Sequence, residues 1–294
     1  MKKLIYSIGC LSIAAAFVAC GGGTKTDAKK EEVKPVEEVS LSYSAKPLEA
    51  EVDSAKFGID KDGYITIFDG KSLTGWRGYG KDKLPGKWAI DSDGTLKFSG
   101  SGGGEAQEKD GGDIIFAHKF KNFELQLEWK VSKAGNSGIF YLAQEVTSTD
   151  KDGNVRWEPI YISAPEYQLL DNENHIDAGM GKDGNRKSGS LYDMIPANPQ
   201  NSKPFGEWNK AKIMVFKGTV VHGQNDENVL EYHLWTPQWT DMLQVSKFKE
   251  GAPEFPLAFD LLNNAGGEKR EGYIGLQDHG DDIWFRNIRV KILD

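Results

Sequence analysis

Apolar and polar residues alternate without a break from Phe123 to Val131: Phe123, Leu125, Leu127, Trp129 and Val131 fall on one side, and Glu124, Gln126, Glu128 and Lys130 on the other. Successive side chains of an extended chain point to opposite faces, so this segment predicts a strand with one face in a core and the other in water. Similar runs occupy residues 212–216 and 229–234, and the stretch Ile283–Ile292 contributes Ile283, Phe285, Ile288, Val290 and Ile292. Turn-forming residues punctuate the chain at Asp93-Gly94, 102–104, Gly111-Gly112, Asp152-Gly153, Asp183-Gly184 and Gly266-Gly267. No 3.6-residue apolar repeat lasts long enough for a full-length helix. The pattern predicts an all-β fold, an antiparallel jelly-roll β-sandwich. Residues 144–165 and 172–206 resist strand assignment and are expected as long loops over one mouth of the sheet.

The N-terminal region reads differently. Lys2 and Lys3 precede an apolar run from Leu4 to Phe17 that is too short for a transmembrane helix, and Phe17-Val18-Ala19-Cys20 is similar to a lipobox. Residues 1–19 are therefore expected to be a lipoprotein signal peptide, with Cys20 as the lipidation site and membrane anchor; an ordinary secretory signal is the alternative. The expected location is the outer membrane, facing the periplasm. Residues 20–62, rich in Lys, Glu, Ala and Ser, are expected to be a tether with a short helical stretch near residues 48–57, and residues 63–294 to be a single domain. Cys10 and Cys20 are the only cysteines, so this domain has no disulfide and no thiol chemistry. The formal charge of −8, less the two positive charges of Lys2 and Lys3, gives −10 for the mature chain, which argues against nucleic acid as a partner. Eight Trp, ten Tyr and fourteen Phe supply stacking platforms for sugars, although in an all-β domain they serve equally as core.

Glu166-Tyr167-Gln168-Leu169-Leu170-Asp171 carries the most chemistry. On a regular strand Glu166 and Gln168 share a face and Asp171 points away; a β-bulge near Leu169–Leu170 would bring it back. That spacing resembles the Glu-x-Asp-x-x-Glu motif of laminarinase-like glycosidases, which share the sandwich class. Here Gln168 replaces the middle carboxylate, which disfavours ordinary retaining hydrolysis by two carboxyls about 5 to 5.5 Å apart. A second cluster is Gly275-Leu276-Gln277-Asp278-His279-Gly280, where Gln277 and His279 share one face and Ile274, Leu276 and Asp278 the other. Arg286 is either a salt bridge locking the last strand or a ligand for sugar hydroxyls. Asn136 and Tyr141 after the best strand, and Tyr192 in Ser188-Gly189-Ser190-Leu191-Tyr192-Asp193, are candidate pocket walls. Gly138 and Gly189 either permit close ligand approach or simply form turns. No nucleophile elbow, paired-histidine metal motif, phosphate loop or full calcium loop occurs.

The order of these pieces is specific. Ile67-Phe68-Asp69-Gly70-Lys71-Ser72-Leu73-Thr74-Gly75-Trp76, Gly112-Asp113-Ile114, Asn136-Ser137-Gly138, Glu166 to Asp171, Gly206-Glu207-Trp208-Asn209, and Gly275 to Gly280 followed by Arg286-Asn287-Ile288 together resemble the 3-keto-disaccharide hydrolase family. The segment Val221-His222-Gly223-Gln224-Asn225 departs from the family pattern, so a role for His222 does not carry over securely. The resemblance implies a concanavalin A-like jelly-roll acting on glycosides whose C3 hydroxyl is already a ketone. Such a reaction begins with loss of the C2 proton and expels the C1 substituent, which needs one base, one acid and donors for an enolate oxygen. On this reading Glu166 or His279 is the base, Asp171 is its partner or a metal ligand, and Gln168, Gln277 and Arg286 are hydroxyl or enolate donors. A divalent metal is the one cofactor the reading admits. The alternatives are a noncatalytic glycan-binding lipoprotein and a conventional glycosidase of the same fold.

Overall fold

A computed structural model describes residues 57–100 and 110–294, together with the backbone pairing of Ser44–Ala45. The signal peptide, Cys20 and nearly all of the expected tether lie outside the described residues, as does the glycine run at 102–104. Ser44–Ala45 pairs antiparallel with Val146–Thr149, so part of the segment read as tether contributes a strand. Phe57, also within that segment, packs edge-on against Phe116 at 5.5 Å between ring centroids.

Two antiparallel sheets face each other, as in a jelly-roll. The long sheet runs in the order Glu227–His233, Thr219–Gln224, Asn209–Phe216, Phe123–Val131, Ile283–Ile292, Leu96–Phe98 and Trp88–Ile90, with Ile65–Phe68 also paired to Ile283–Ile292. The short sheet runs Glu166–Leu170, Asn136–Ala143, Gly272–Leu276, Ile114–Phe120 and Trp76–Gly78. All four alternating runs of the sequence lie in the long sheet. Its inner face supplies Phe123, Leu125, Leu127, Trp129, Ile213, Val215, Phe285 and Val290 to the core, and its outer face carries charged groups in water.

The short sheet has two buried faces. Ile139, Tyr141, Tyr167, Leu169, Ile274 and Leu276 point inward to the common core. On the other side Tyr79, Ile115, Phe140, Ala143, Ile160, Ala164 and Tyr273 form a second, smaller cluster. A strand covered on both faces shows no alternation, which is why Asn136–Ala143, Glu166–Leu170 and Gly272–Leu276 carry no period-two signal. Residues 144–165 and 172–206, expected as loops, supply the outer cover. The first contains the strands Val146–Thr149 and Val155–Trp157 and a 3-10 turn at Ile160–Ile162. The second runs along the open edge of Glu166–Leu170, where the Gly189 amide donates to the Gln168 carbonyl (2.9 Å), the Gln168 amide to Ser190 (3.1 Å) and the Tyr192 amide to Glu166 (3.0 Å). Two short helices, Pro237–Gln244 and Ala258–Asn263, interrupt the all-β plan; the first is capped by Thr236, whose side chain accepts from the Trp239 amide.

Between the sheets lies a polar chain. The His222 Nδ1–H donates to the Gly189 carbonyl (3.1 Å), which can only accept, so Nε2 is left bare to accept from the Tyr141 hydroxyl (2.8 Å). Tyr232 donates in turn to the Tyr141 oxygen (2.6 Å). Burial holds the His222 imidazole neutral, with its pKa pushed down to about 3. The unfolded chain binds this proton near pH 6.5 and the folded chain does not, so acidification through that window favours unfolding. Denaturant titration at pH 7 and pH 5 is expected to show the wild type losing about 2 kcal/mol more than His222→Gln over this interval; equal losses would show that His222 is charged at no cost.

Candidate active site

The short sheet positions the site. Glu166, Gln168 and Leu170 point outward, opposite Phe140, Gly138 and Asn136 on the neighbouring strand, and the ladder between the two strands is regular throughout. The bulge expected near Leu169–Leu170 is absent. Beyond the next strand the Gln277 amide donates to the Gly138 carbonyl (3.0 Å), which keeps Gln277 in line with Gly138. His279 follows two residues on, and its Nε2 accepts from the Asn136 Nδ2 (3.1 Å). Asn136, Glu166, Gln168, Tyr192, Gln277 and His279 therefore line one pocket with Tyr161 and Lys247. Asp278 points the other way, accepting from the amides of Gly112 (2.7 Å) and Gly280 (2.9 Å).

The pocket has two unusual properties. Its buried amides keep hydrogen-bonding capacity in reserve: Asn136 Oδ1, Gln168 Nε2 and Gln277 Oε1 have no protein partner, although these residues are 3%, 1% and 5% exposed. A buried polar atom left without a partner costs about 1–3 kcal/mol, so three around one pocket mark places where a ligand supplies the missing partner. The second is Gly138. A Cβ at this position would run into the Glu166 carboxylate, which lies across the glycine. Gly138 is thus neither a turn residue nor a place for the ligand itself; it makes room for the carboxylate.

The loop-borne residues carry most of the charge. The Tyr192 hydroxyl donates to Asp177 Oδ2 (3.0 Å), and Arg186 bridges Asp177 Oδ1 (3.0 Å) and Asp193 Oδ1 (2.7 Å). Burial, followed by the nearby charges of Glu166 and Asp177, raises the Tyr192 phenol well above its ordinary value. His175 stands edge-on to His279, 6.2 Å between ring centroids, and its pKa is lowered by burial and then by its neighbour. Sequence reasoning missed Tyr161, Lys247, His175, Asp177 and Arg186. All are in stretches without periodicity, and only the fold brings them beside the sheet.

Three expected site residues lie elsewhere. Asp171 accepts from the amides of Ala134 (2.8 Å) and Glu173 (3.2 Å) and from Asn174 Nδ2 (2.8 Å), so both its oxygens hold the two turns flanking the pocket. Without the bulge it does not rejoin the face of Glu166. Tyr141 alternates inward and spends its hydroxyl on His222 and Tyr232. Arg286 is on the outer face of the long sheet, ion-paired to Glu128 (2.6 Å) and stacked 4.0 Å from the Trp208 ring centroid, which is the strand-locking role. As for a metal, no three His, Cys, Asp or Glu side chains converge among the described residues, and the residues present do not make a ligand set.

A larger cavity, about 690 Å³, lies on the outer face of the long sheet beside Glu128, Lys210 and Arg289. Two ion pairs cross it, Lys210 with Asp226 (2.8 Å) and Arg289 with Asp60 (3.3 Å), and none of the buried polar atoms without a protein partner belongs to its lining. The space between the side chains of the Glu166 pocket is about 10 Å³, roughly room for one water. A space of that size does not hold a sugar ring as it stands.

The model of the 3-keto-alpha-glucoside-1,2-lyase-like domain matches residues 63–291. The chain belongs to this family. The 3-keto-disaccharide hydrolase of Bacteroides thetaiotaomicron is 69% identical over 294 residues, covering 100% of both chains. Among solved structures, a candidate glycosyl hydrolase from Parabacteroides distasonis ATCC 8503 superposes with a TM-score of 0.62 at 25% identity, covering 81% of this chain and 99% of its own. A second from the same organism gives 0.54 at 25% identity, with coverage of 78% and 99%. The matched lyase-like domain thus spans both sheets and every residue of the Glu166 pocket.

Asp171 and Arg286 separate a buried organiser from a surface pair. Asp171→Ala removes a buried carboxylate that accepts three hydrogen bonds and is expected to cost about 2–3 kcal/mol in denaturant titration. Arg286→Ala breaks a partly exposed pair and is expected to cost about 1 kcal/mol or less; the reverse order would contradict the roles given to them.

Proposed function

We propose that this chain cleaves 3-keto-disaccharides and related 3-keto-glycosides by elimination at C1 followed by hydration. The observation that carries the reading is the make-up of the pocket: one carboxylate, Glu166, set among buried amides with reserved hydrogen bonds and a histidine. Double-displacement hydrolysis needs a second carboxyl about 5 to 5.5 Å away, and Asp171, the nearest in sequence, is committed to the loops. A C3 ketone removes that need by acidifying the C2 proton. The name of the Bacteroides thetaiotaomicron relative and the lyase-like family point to the same substrate class.

In this mechanism Glu166 takes the C2 proton and the C3 carbonyl oxygen gains the charge. The electron pair then forms the C1–C2 double bond, the C1–O bond breaks, and the leaving oxygen takes a proton, for which His279 in the pocket lining is the candidate donor. Water adds to C1 and a proton returns to C2, which completes net hydrolysis. In this reading Gln168 Nε2 donates to a sugar oxygen and the carbonyl oxygens of Asn136 and Gln277 accept from sugar hydroxyls, roles supported by the lack of protein partners at these atoms. Tyr192 supplies a wall. Such amides also suit a glycan-binding protein, but binding alone gives no reason for a glycine cut to the shape of a carboxylate.

We also infer that Cys20 carries lipid and holds the domain at the outer membrane, facing the periplasm. Lipidation would move wild type, but not Cys20→Ser, into the detergent phase on phase partition, and equal partition would exclude the anchor.

Incubation of the purified protein with 3-keto-trehalose and with trehalose, with and without chelator, tests the reaction. Cleavage of the keto sugar alone is expected, with Glu166→Gln lowering turnover by about 10²-fold or more. Gly138→Ala is expected to fold and to lose activity comparably, because its methyl group displaces the carboxylate. Cleavage of both sugars alike would return the protein to the conventional glycosidases, and binding without cleavage to the glycan-binding class. Loss of activity with chelator would require a metal held partly by substrate.

A further inference from the structure

Lys247 enters the Glu166 pocket from the turn after the helix Pro237–Gln244, and no motif in the sequence points to it. Its Nζ lies 4.5 Å from the ring centroid of Tyr192 and 5.7 Å from that of Tyr161, both pocket walls, with Phe248 at 5.0 Å and Phe255 at 5.5 Å behind. Its backbone amide donates to Asp193 Oδ2 (2.9 Å). Asp193 is held by Arg186, Arg186 by Asp177, and Asp177 by the Tyr192 hydroxyl. One charge network therefore fixes both the base of the lysine and the principal ring against which its ammonium rests.

The manner of holding matters. Arg77, Arg186 and Arg286 are each neutralised by carboxylates: Glu145, the Asp177–Asp193 pair and Glu128. Ring faces attract an ammonium through their quadrupoles and leave its full charge available to a third group. Arg286, the cationic candidate named from the sequence, lies on the outer face of the long sheet, paired to Glu128. Among the side chains lining the pocket, Lys247 bears the ammonium, and it stands over the same space as Glu166.

We propose that Lys247 is the group that recognises the C3 ketone. Its ammonium donates to the carbonyl oxygen and carries the negative charge that develops there as Glu166 removes the C2 proton. This rests on the elimination reading above and gives it a source of specificity. An unoxidised sugar presents a neutral hydroxyl at C3 throughout, so the cation gains nothing there as reaction proceeds, whereas the ketone becomes an enolate beside it. An interaction stronger in the transition state than in the bound substrate raises kcat rather than lowering KM. No covalent bond to Lys247 is involved: the carbonyl oxygen stays on the sugar.

The test compares wild type, Lys247→Met and Lys247→Arg on 4-nitrophenyl 3-keto-glucoside, with incorporation of deuterium at C2 from heavy water as a second readout. Lys247→Met is expected to keep the wild-type melting temperature and to lose about 10²-fold or more in kcat with KM changed severalfold at most. Deuterium incorporation should fall in parallel, and Lys247→Arg, which keeps the charge, should recover part of both. A Lys247→Met enzyme within threefold of wild type in kcat would overturn the proposal, as would a rise in KM alone. Borohydride trapping of a substrate adduct on Lys247 would replace it with iminium chemistry. If Lys247→Met does not fold, failure of the folded Lys247→Arg to exchange C2 while Glu166→Gln and wild type bind substrate alike would count against it. An inactive wild type would instead remove the elimination reading itself.

Discussion

Burial of the short sheet on both faces is the constraint from which the site follows. Its inner side faces the long sheet across the common core, and on its outer side Phe140 and Tyr273 pack with Tyr79, Ile160 and Ala164. In such a layer every polar atom has lost water and must be paired by protein, and most are. Asn136, Gln168 and Gln277 are exceptions grouped within one patch, where the outer cover gives way to a pocket. The energy withheld there is available to whatever binds.

Rigidity of the sheet makes a small recess effective. Gly138 lies between Glu166–Leu170 and Gly272–Leu276, so both its backbone neighbours are fixed by ladders. Omitting one side chain at that position accommodates a carboxylate against the sheet, with no need for a strained backbone. The opposite wall is made differently. Loops build it, and charge holds it: Asp177, Arg186 and Asp193 tie Tyr192 and the backbone of Lys247 into one unit. A rigid carboxylate on one side and a loop-borne cation on the other suit a reaction in which a proton leaves one atom of the substrate while charge appears two atoms away.

The relation to the Bacteroides thetaiotaomicron hydrolase and to the lyase-like family fits this division of labour. Retaining glycosidases of sandwich folds place two carboxylates on one strand. Here one strand bears a carboxylate and an amide, Glu166 and Gln168, and the next potential carboxylate, Asp171, has become the fastening of two turns. On the elimination reading proposed above, a ketone in the substrate removes the need for that second carboxylate.

Alternation determined four strands of the long sheet, those with one wet face, and the pattern at Phe123–Val131 reports that asymmetry directly; Thr219–Gln224, buried along nearly its whole length, carries no such signal. Period two also sorted Gln277 and His279 from Leu276 and Asp278, since facing along a single strand is a local property. Facing across strands was not legible. Whether Asp171 rejoins Glu166 depends on a bulge, and whether Tyr141 or Arg286 reaches the pocket depends on which sheet and which face receives it, and these are settled only by pairing partners far along the chain. Lys247, Tyr161 and Asp177 were invisible for the same reason. They sit in segments with no periodicity, and their place beside Glu166 exists only once the sandwich has closed.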